Sequence, residues 1–371
     1  MRIERLDVFA FPVPFRVVFR HASASRARAE NLIIAARSDC GRVGYGEGCP
    51  RSYVTAETVP GAVDFVRGVT ESIIGAVTDA ASLRDWAEDH RRLIDRNPAA
   101  FCAVELAILD LIGNVTRRPV EDVVGAPRLS GCFSYSAVLG DAPPLAYRWQ
   151  FHRYWKRGFR DFKVKVSGDP ERDRAKMRVF RNRSDPSLRV RLDANNRWTS
   201  VEECVGHITA MGRGISAVEE PLQAGDLDGF ARVGEECGAR IILDESITRV
   251  EQLERLDDPA RWIVNVRVSK MGGIIRSLHL ASEAAGRGLG IIVGAQVGET
   301  SLLTRAGLAV MNAVGDRLVA AEGAFGTHLL QQDLTGSCLM FGDGGVLDSE
   351  DVDACAAGLG LRVRAEQLVA V

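Results

Sequence analysis

Aromatic residues make up just 6% of the 371 positions, too few for the ladder of rings on which single-stranded bases stack. Positive charge is not in excess either. Lysine and arginine number 47 against 49 aspartates and glutamates, a formal net charge of −2. Without a basic stripe, nucleic acid is not an expected partner. No apolar run approaches the roughly 18 residues that a membrane span requires, so no membrane is expected. The opening Met1-Arg-Ile-Glu-Arg-Leu-Asp7 puts charges where a secretory leader has its apolar core. The eight cysteines (Cys40, Cys49, Cys102, Cys132, Cys204, Cys237, Cys338 and Cys355) contain no CxxC pair. That scatter argues against a zinc site or a disulfide framework, and for reduced thiols in a cytoplasmic protein.

What is present is an ordinary globular composition, 46% apolar and 26% charged. The length fits a barrel of about 250 residues plus a smaller unit. Residues 1–125 read as an α+β domain. They hold strand-like segments (Arg2–Phe11, Asn31–Ser38), a turn at Gly41–Gly44 and a helix over Ala99–Asn114. In that helix Phe101, Val104, Ala107, Ile108 and Leu111 recur at helical spacing, which predicts a buried amphipathic element. Over residues 126–330 short apolar runs alternate with helix-length segments. The runs are Phe133–Leu139, Phe162–Val166, Leu188–Leu192, Ile215–Val218, Arg240–Leu243, Trp262–Val268, Gly290–Gly294 and Arg317–Ala321. Eight strands separated by helices predict an α/β fold, a modified (β/α)7-8 barrel of the TIM type. Residues 331–371 fit no further repeat and are expected to pack back on the first domain.

The polar residues that end successive strand candidates are Lys165, Asp193, Glu219, Asp244, Lys270, Gln296 and Glu322, spaced 25 to 28 residues apart. One strand–helix unit has that length, so each residue is expected at the C-terminal mouth of its strand, where barrel enzymes hold their chemistry. Asp193, Glu219 and Asp244 end three consecutive strands. Neighbouring strands lie about 4.8 Å apart, and three converging carboxylates stay ionised only if a cation neutralises them. Oxygen donors without histidine or thiolate favour Mg²⁺, with Mn²⁺ as the alternative.

Lys163 and Lys165 are two positions apart and therefore share a face of their strand. Turned toward the helices, both ammonium groups would be buried without partners, so the barrel mouth is the less costly side. Lys270 closes its strand across the barrel from Lys165. Two opposed lysines can take the proton next to a bound carboxylate from one face and return one to the other. A metal ion would stabilise the enediolate formed in between. Two other classes stay open at this point: a Schiff-base aldolase working through Lys165 or Lys270, and a barrel that binds metal or carboxylate without turnover.

The segments Lys163-Val-Lys165, Asp193-Ala-Asn195, Glu219-Glu-Pro221, Asp244-Glu-Ser246 and Asn265-Val-Arg-Val-Ser-Lys-Met-Gly-Gly273 resemble the muconate lactonizing enzyme (muconate cycloisomerase) subgroup of the enolase superfamily. Ala103-Val-Glu-Leu-Ala-Ile-Leu-Asp110 and Pro119–Gly125 resemble the helix and turn leading into that family's barrel. A lysine or histidine base working with magnesium is the known pairing of that superfamily. The resemblance implies that residues 1–125 cap the barrel, that Asp193, Glu219 and Asp244 bind Mg²⁺, and that Lys165 and Lys270 are the acid/base pair. Lys163 would assist electrostatically, and Asn195 would sit beside the metal. Phe15–Arg28 and Cys49–Thr55, with Tyr53, match the lid positions. Gln296 and Glu299 would face the ligand from the loop Gly294–Ser301. A small carboxylate substrate and a homo-oligomer are implied as well.

Departures narrow the reaction. None of the six histidines (His21, His90, His152, His207, His279, His328) ends a strand candidate, which disfavours histidine-based racemase chemistry. Arg267 stands where the family often has lysine. At the eighth strand the family's dipeptide epimerases carry Asp-x-Asp, whereas this chain has Glu322-Gly-Ala-Phe-Gly326; its cycloisomerases place a glutamate where Gly323 stands. The expected activity is a divalent-metal-dependent isomerase, cycloisomerase-like or a racemase/epimerase. Dehydration of the o-succinylbenzoate synthase or acid-sugar kind is the alternative.

Overall fold

Apolar side chains at Phe11, Val13 and Phe15 are buried while Pro12 and Pro14 are exposed, the period of a half-buried strand. A computed structural model describes residues 1–20, 25–181 and 183–371, with the side chains of residues 18–20, 25 and 26 left aside. His21 and part of the expected lid Phe15–Arg28 lie outside the described residues. Strands β1 (Ile3–Arg20), β2 (Ser25–Ser38) and β3 (Val43–Gly48) pair antiparallel. Helices α1 (Val59–Ala76), α2 (Ala80–Asp89), α3 (Arg91–Ile94), α4 (Pro98–Thr116) and α5 (Val120–Val124) follow. Thr58 caps α1, and Asp79 with Ser82 forms a capping box at α2.

Helix α4 differs from the amphipathic element expected of it. Every residue from Pro98 to Gly113 is buried, because β2 and β3 cover one side and α10 and α11 of the barrel the other. By length and composition alone this helix could cross a membrane, contrary to the reading that no such stretch exists; here it is a core helix. Its closeness to β3 explains the alternating Gly44, Gly46 and Gly48. A Cβ on Gly46 would lie 2.2 Å from the carbonyl oxygen of Ala103, and one on Gly48 1.9 Å from that of Ala99.

The second half of the chain runs β4 (Cys132–Ser134), β5 (Ala137–Leu139), α6 (Pro144–Lys156), β6 (Asp161–Lys165), α7 (Pro170–Met177), β7 (Arg189–Asp193), α8 (Val201–Met211), β8 (Ala217–Glu219) and α9 (Leu227–Cys237). It continues through β9 (Arg240–Leu243), β10 (Trp262–Arg267), α10 (Val268–Met271), α11 (Ile274–Gly286), β11 (Gly290–Gly294), α12 (Ser301–Val314) and β12 (Leu318–Ala321). Strands β5 to β12 make one parallel sheet in sequential order. Its edges meet where Tyr135 bridges Ala321 and the Ser136 amide donates to the Ala321 carbonyl at 2.8 Å. The α/β barrel with an N-terminal cap is thus the fold.

The expected single strand Phe133–Leu139 is two. β4 pairs outside the barrel with β13 (Val346–Asp348), and β5 lies inside it. The C-terminal residues also pack back on the cap: β14 (Val369–Ala370) extends the cap sheet beside β1, and the Leu359 amide donates to Asp110 within α4.

Buried carboxylates from the cap meet the N-termini of barrel helices, where backbone amides lack partners. Glu47 accepts from the Thr300 and Leu303 amides at α12, and Glu105 from the Ile274 and Ile275 amides at α11. Burial pushes the Glu105 carboxyl up to about 8 and that of Glu47 up to about 7. A carboxyl that holds its proton more tightly folded than unfolded contributes stability that is complete below its ordinary value and is lost as the pH rises through its folded value. The thermal midpoint is therefore predicted to fall between about pH 5 and pH 8, and Glu105→Gln to flatten that slope. Melting curves across the range check this; an unchanged slope in the variant counts against the shift.

Candidate active site

Strand register sets the geometry. Lys165 pairs with Asp193 and Asp193 with Glu219, while Glu219 pairs with Ile242, two residues before Asp244. Alternation then aims Lys163, Lys165, Arg191, Asp193, Glu219 and Asp244 into the barrel. The opposite end of the interior is an apolar plug of Ala217, Ile242, Ile263, Ile292 and Ala320. Above it the interior is charged.

Lys163 is the hub. Its ammonium lies 2.7 Å from Glu219, 2.9 Å from Glu322 and 3.4 Å from Asp193. Burial pulls its pKa down, but the carboxylates of Asp193, Glu219 and Glu322 outweigh that, and the net shift is upward. Lys163 therefore stays charged. Arg191 takes the other oxygen of Glu322 at 2.8 Å and also reaches Asp161 and Ser136. Burial raises the Glu322 carboxyl, yet Lys163 and Arg191 bring it below its ordinary value. Glu322, expected at the barrel mouth, thus has both oxygens engaged inside the barrel and holds Lys163 in place.

Lys165 approaches Asp193 at 3.4 Å and is the more open of the two expected acid/base lysines, 17% exposed against 1% for Lys270. The Lys270 ammonium contacts Asp244 Oδ1 at 2.7 Å and also donates to the carbonyls of Asp244, Asn265 and Ile247. Burial, then Arg267, lowers it to about 7. The two lysines thus stand at opposite ends of the row Asp193, Glu219, Asp244. Behind Lys165, the Lys176 ammonium donates to the Lys165 carbonyl at 2.8 Å and pairs with Asp173 and Asp141. Asp173 also accepts from the Ser167 and Gly168 amides, and His207 lies 3.0 Å from it.

The donor chemistry of Asp193, Glu219 and Asp244 fits a hard divalent cation: all are buried, all offer oxygen, and they stand on adjacent strands. Glu219 Oε2 and Asp244 Oδ2 accept no well-aligned hydrogen bond. Burial, with Asp193 and Glu322, raises the Glu219 carboxyl against the pull of Lys163. As they stand, however, no three such side chains among the described residues are gathered into a closed cage. The Arg267 guanidinium touches Asp244 and lies 3.8 Å from Glu219, taking the place of a cation between them.

The remaining expected residues surround this rim. Asn195, with φ +50°, donates to Asp193. Gln296 is buried, with its Nε2 lacking a partner and its Oε1 3.4 Å from Arg267. Glu299 accepts from the Gln296 amide, and burial pushes its carboxyl up to about 8. Tyr53 lies half-buried in the 49–56 segment, which is tied down by the Cys49 amide bonding to Ser269, next to Lys270.

Sequence reasoning did not single out Arg191, Glu220 or Arg51. Arg191 shares its strand face with Asp193, so period two marks it. Glu220 accepts from the Asp244 and Ser246 amides and so fixes the loop carrying Asp244; the Glu-Glu-Pro doublet is its signal. Arg51, fully buried, links the 49–56 segment to Asn31 and the Val297 carbonyl, and nothing local announces it.

Comparison with known proteins agrees with this architecture. Residues 5–125 match the model of the mandelate racemase / muconate lactonizing enzyme N-terminal domain, and residues 146–367 the enolase C-terminal domain-like model. The N-succinyl-L-Arg/Lys racemase of Bacillus cereus is 25% identical, over 84% of each chain. A muconate lactonizing enzyme structure superposes with a TM-score of 0.85 at 23% identity, covering 99% of this chain and 98% of that one. A dipeptide epimerase from Enterococcus faecalis, complexed with Mg and L-Leu-L-Tyr, superposes at 0.82 with 24% identity, covering 98% and 100%. The chain belongs to the mandelate racemase / muconate lactonizing enzyme family and is an enzyme of the enolase superfamily.

Proposed function

We propose that the chain isomerises a small carboxylic acid by moving the proton on the carbon next to its carboxylate, with Lys165 and Lys270 as the acid/base pair. The observation that carries this reading is that both ammonium groups lie against one set of carboxylates, Lys165 at Asp193 and Lys270 at Asp244, with Glu219 on the strand between. Asp193, Glu219 and Asp244 would hold Mg²⁺, whose charge stabilises the carboxylate as its α-proton leaves. The Mg complex of a relative supports that choice of ion. Lys163, held charged by its three carboxylates, adds a fixed positive field. Lys165 and Lys270 are the groups that hold and move the proton. Arg51 and the Cys49–Ser269 hydrogen bond hold the 49–56 segment, whose Ser52–Ala56 stretch borders Lys270.

Among the reactions of relatives, racemisation of an N-acylated amino acid or cycloisomerisation suits this chain better than dipeptide epimerisation. Glu322 is committed to Lys163 and Arg191, so the eighth strand has no carboxylate left for a substrate ammonium group. A Schiff-base mechanism is the poorer fit, because each lysine already contacts a carboxylate.

The reading predicts α-hydrogen exchange in D₂O, followed by ¹H NMR, on at least one carboxylic acid among N-acyl amino acids, muconates and sugar acids. Lys165→Ala and Lys270→Ala should each slow exchange about 10²–10⁴-fold; full exchange in either variant removes that lysine from the pair. Asp193→Asn should weaken Mg²⁺ binding at least about tenfold in a calorimetric titration, and an unchanged isotherm takes Asp193 off the ligand set. Lys176 is a positioning residue, since it acts through the Lys165 backbone. Lys176→Met is expected to lower kcat about tenfold or more with KM little changed, and Lys176→Arg to restore most of it. A change confined to KM would contradict that role.

A further inference from the structure

Three of the seven non-glycine residues with positive φ among the described residues stand in the two loops that follow β7 and β8: Asn195 at +50°, Asn196 at +55° and Glu220 at +41°. Side chains disfavour that conformation, so contacts from outside the local chain must hold it. The Glu220 side chain supplies them. Fully buried, it accepts through Oε1 from the amides of Asp244 at 2.7 Å and Ser246 at 2.9 Å. Through Oε2 it accepts from the Ser246 hydroxyl at 2.7 Å and from Asn196 Nδ2 at 3.1 Å. Asn196 is tied a second time, its amide donating to the Glu220 carbonyl at 2.8 Å. One carboxylate thus clamps the loop after Asp193 and the segment that begins at Asp244, on the strands to either side of its own.

We propose that Glu220 is a positioning residue that sets the separation of Asp193 and Asp244, and thereby favours a small, rigidly held divalent cation over a larger one. This rests on the metal reading of Asp193, Glu219 and Asp244. Strands β7 and β9 do not pair with each other, since β8 lies between them. The Glu220 side chain is a direct link between the loops they carry. Mg²⁺ demands near-octahedral oxygens at about 2.0–2.1 Å, whereas Ca²⁺ accepts about 2.3–2.6 Å and an irregular shell. Fixed spacing therefore discriminates for Mg²⁺, and a loosened pair of loops gives that discrimination up. The clamp also reaches Lys270, because the carbonyls of Asp244 and Ile247, within and just beyond the clamped segment, accept from its ammonium. The two glutamates of the doublet thus divide the work: Glu219 points into the barrel and Glu220 holds the loops around it.

The test is a pair of calorimetric titrations, with Mg²⁺ and with Ca²⁺, on the whole protein and on Glu220→Gln. Glutamine keeps the shape of the side chain but turns an NH₂ group toward donors that need an acceptor. Mg²⁺ affinity should fall about tenfold or more and Ca²⁺ affinity by distinctly less, so that the preference for Mg²⁺ narrows. Loss of one negative charge beside the site would weaken both ions alike, so the ratio separates spacing from charge. A melting curve verifies that the variant is folded. Ser246→Ala removes one of the four donors and leaves the charge unchanged. It should narrow the preference in the same direction by a smaller factor, and it carries the test if Glu220→Gln does not fold. Equal losses for the two ions, or an unchanged Mg²⁺ isotherm, would overturn the proposal. Wild-type protein that binds neither ion strikes the metal reading and this proposal with it, whereas wild-type binding that the variants leave unchanged strikes Glu220 alone.

Discussion

A barrel interior can hold several carboxylates close together only if cations are interleaved among them, and the ammonium of Lys163 is where this chain meets that requirement. Each buried charge costs several kcal/mol unless paired. Lys163 faces three carboxylates, and Arg191 closes the network through Glu322, Asp161 and Ser136. Removing Lys163 would leave Glu219 and Glu322 facing each other in a medium poor in water. The lattice therefore belongs to the fold as much as to the chemistry. It ties β6 to β7 and β8 and, across the interior, to β12, and it fixes where Glu219 can stand. The apolar plug beneath it is built from five small or branched residues, so charge fills the space that larger side chains fill in many barrels.

The cap is placed by a different device. Gly44, Gly46 and Gly48 let β3 lie directly on the backbone of α4, and α4 then presents Glu105 to the N-terminus of α11. Gly273 makes room for that carboxylate: its φ is +116°, and a Cβ there would meet Glu105 Oε2 at 2.0 Å. Because α11 begins a few residues after Lys270, the contact that docks the cap also sets the height of that lysine. The bond from the Cys49 amide to Ser269 repeats this coupling one residue from Lys270. Cap and barrel thus meet at the backbone on either side of Lys270.

Much of this was legible in the sequence because it follows from periodicity. Spacings of 25 to 28 residues between Lys165, Asp193, Glu219, Asp244, Lys270, Gln296 and Glu322 measure one strand–helix unit, and parallel register turns equal spacing into a common rim. The alternation that paired Lys163 with Lys165 held for the same reason. Failures came where tertiary contact overrides local pattern. Helix α4 carries a helical stripe, but two layers cover it and erase the difference between its faces. The run Phe133–Leu139 has no break in hydrophobicity, yet its first half finds a partner more than 200 residues away, in β13. Glu322 ends its strand like the other rim residues, but Arg191 and Lys163 draw it inward. Arg51 has contacts at Glu30, Asn31 and Val297 that no local window contains.

The two proposed acid/base lysines are unequal, and the inequality bears on how a substrate would enter. Lys165 sits on an edge of the rim with its backbone clamped by Lys176, so its ammonium can turn to a ligand without disturbing the strand. Lys270 is surrounded by four acceptors, three of them backbone carbonyls of the segments that carry Asp244 and Asn265. To accept a substrate proton it must first be uncharged, and an uncharged amine keeps two of its donors while giving up the ion pair with Asp244. Burial and Arg267, which bring its pKa to about 7, favour that exchange, and a further cation at Asp244 would favour it more. Asp193, Glu219 and Asp244 are the residues that would hold such a cation, and the Arg267 guanidinium now lies against Asp244. Lys270, Arg267 and any ion held there would therefore bear on the same carboxylate, so the charge of Lys270 depends on what else Asp244 pairs with.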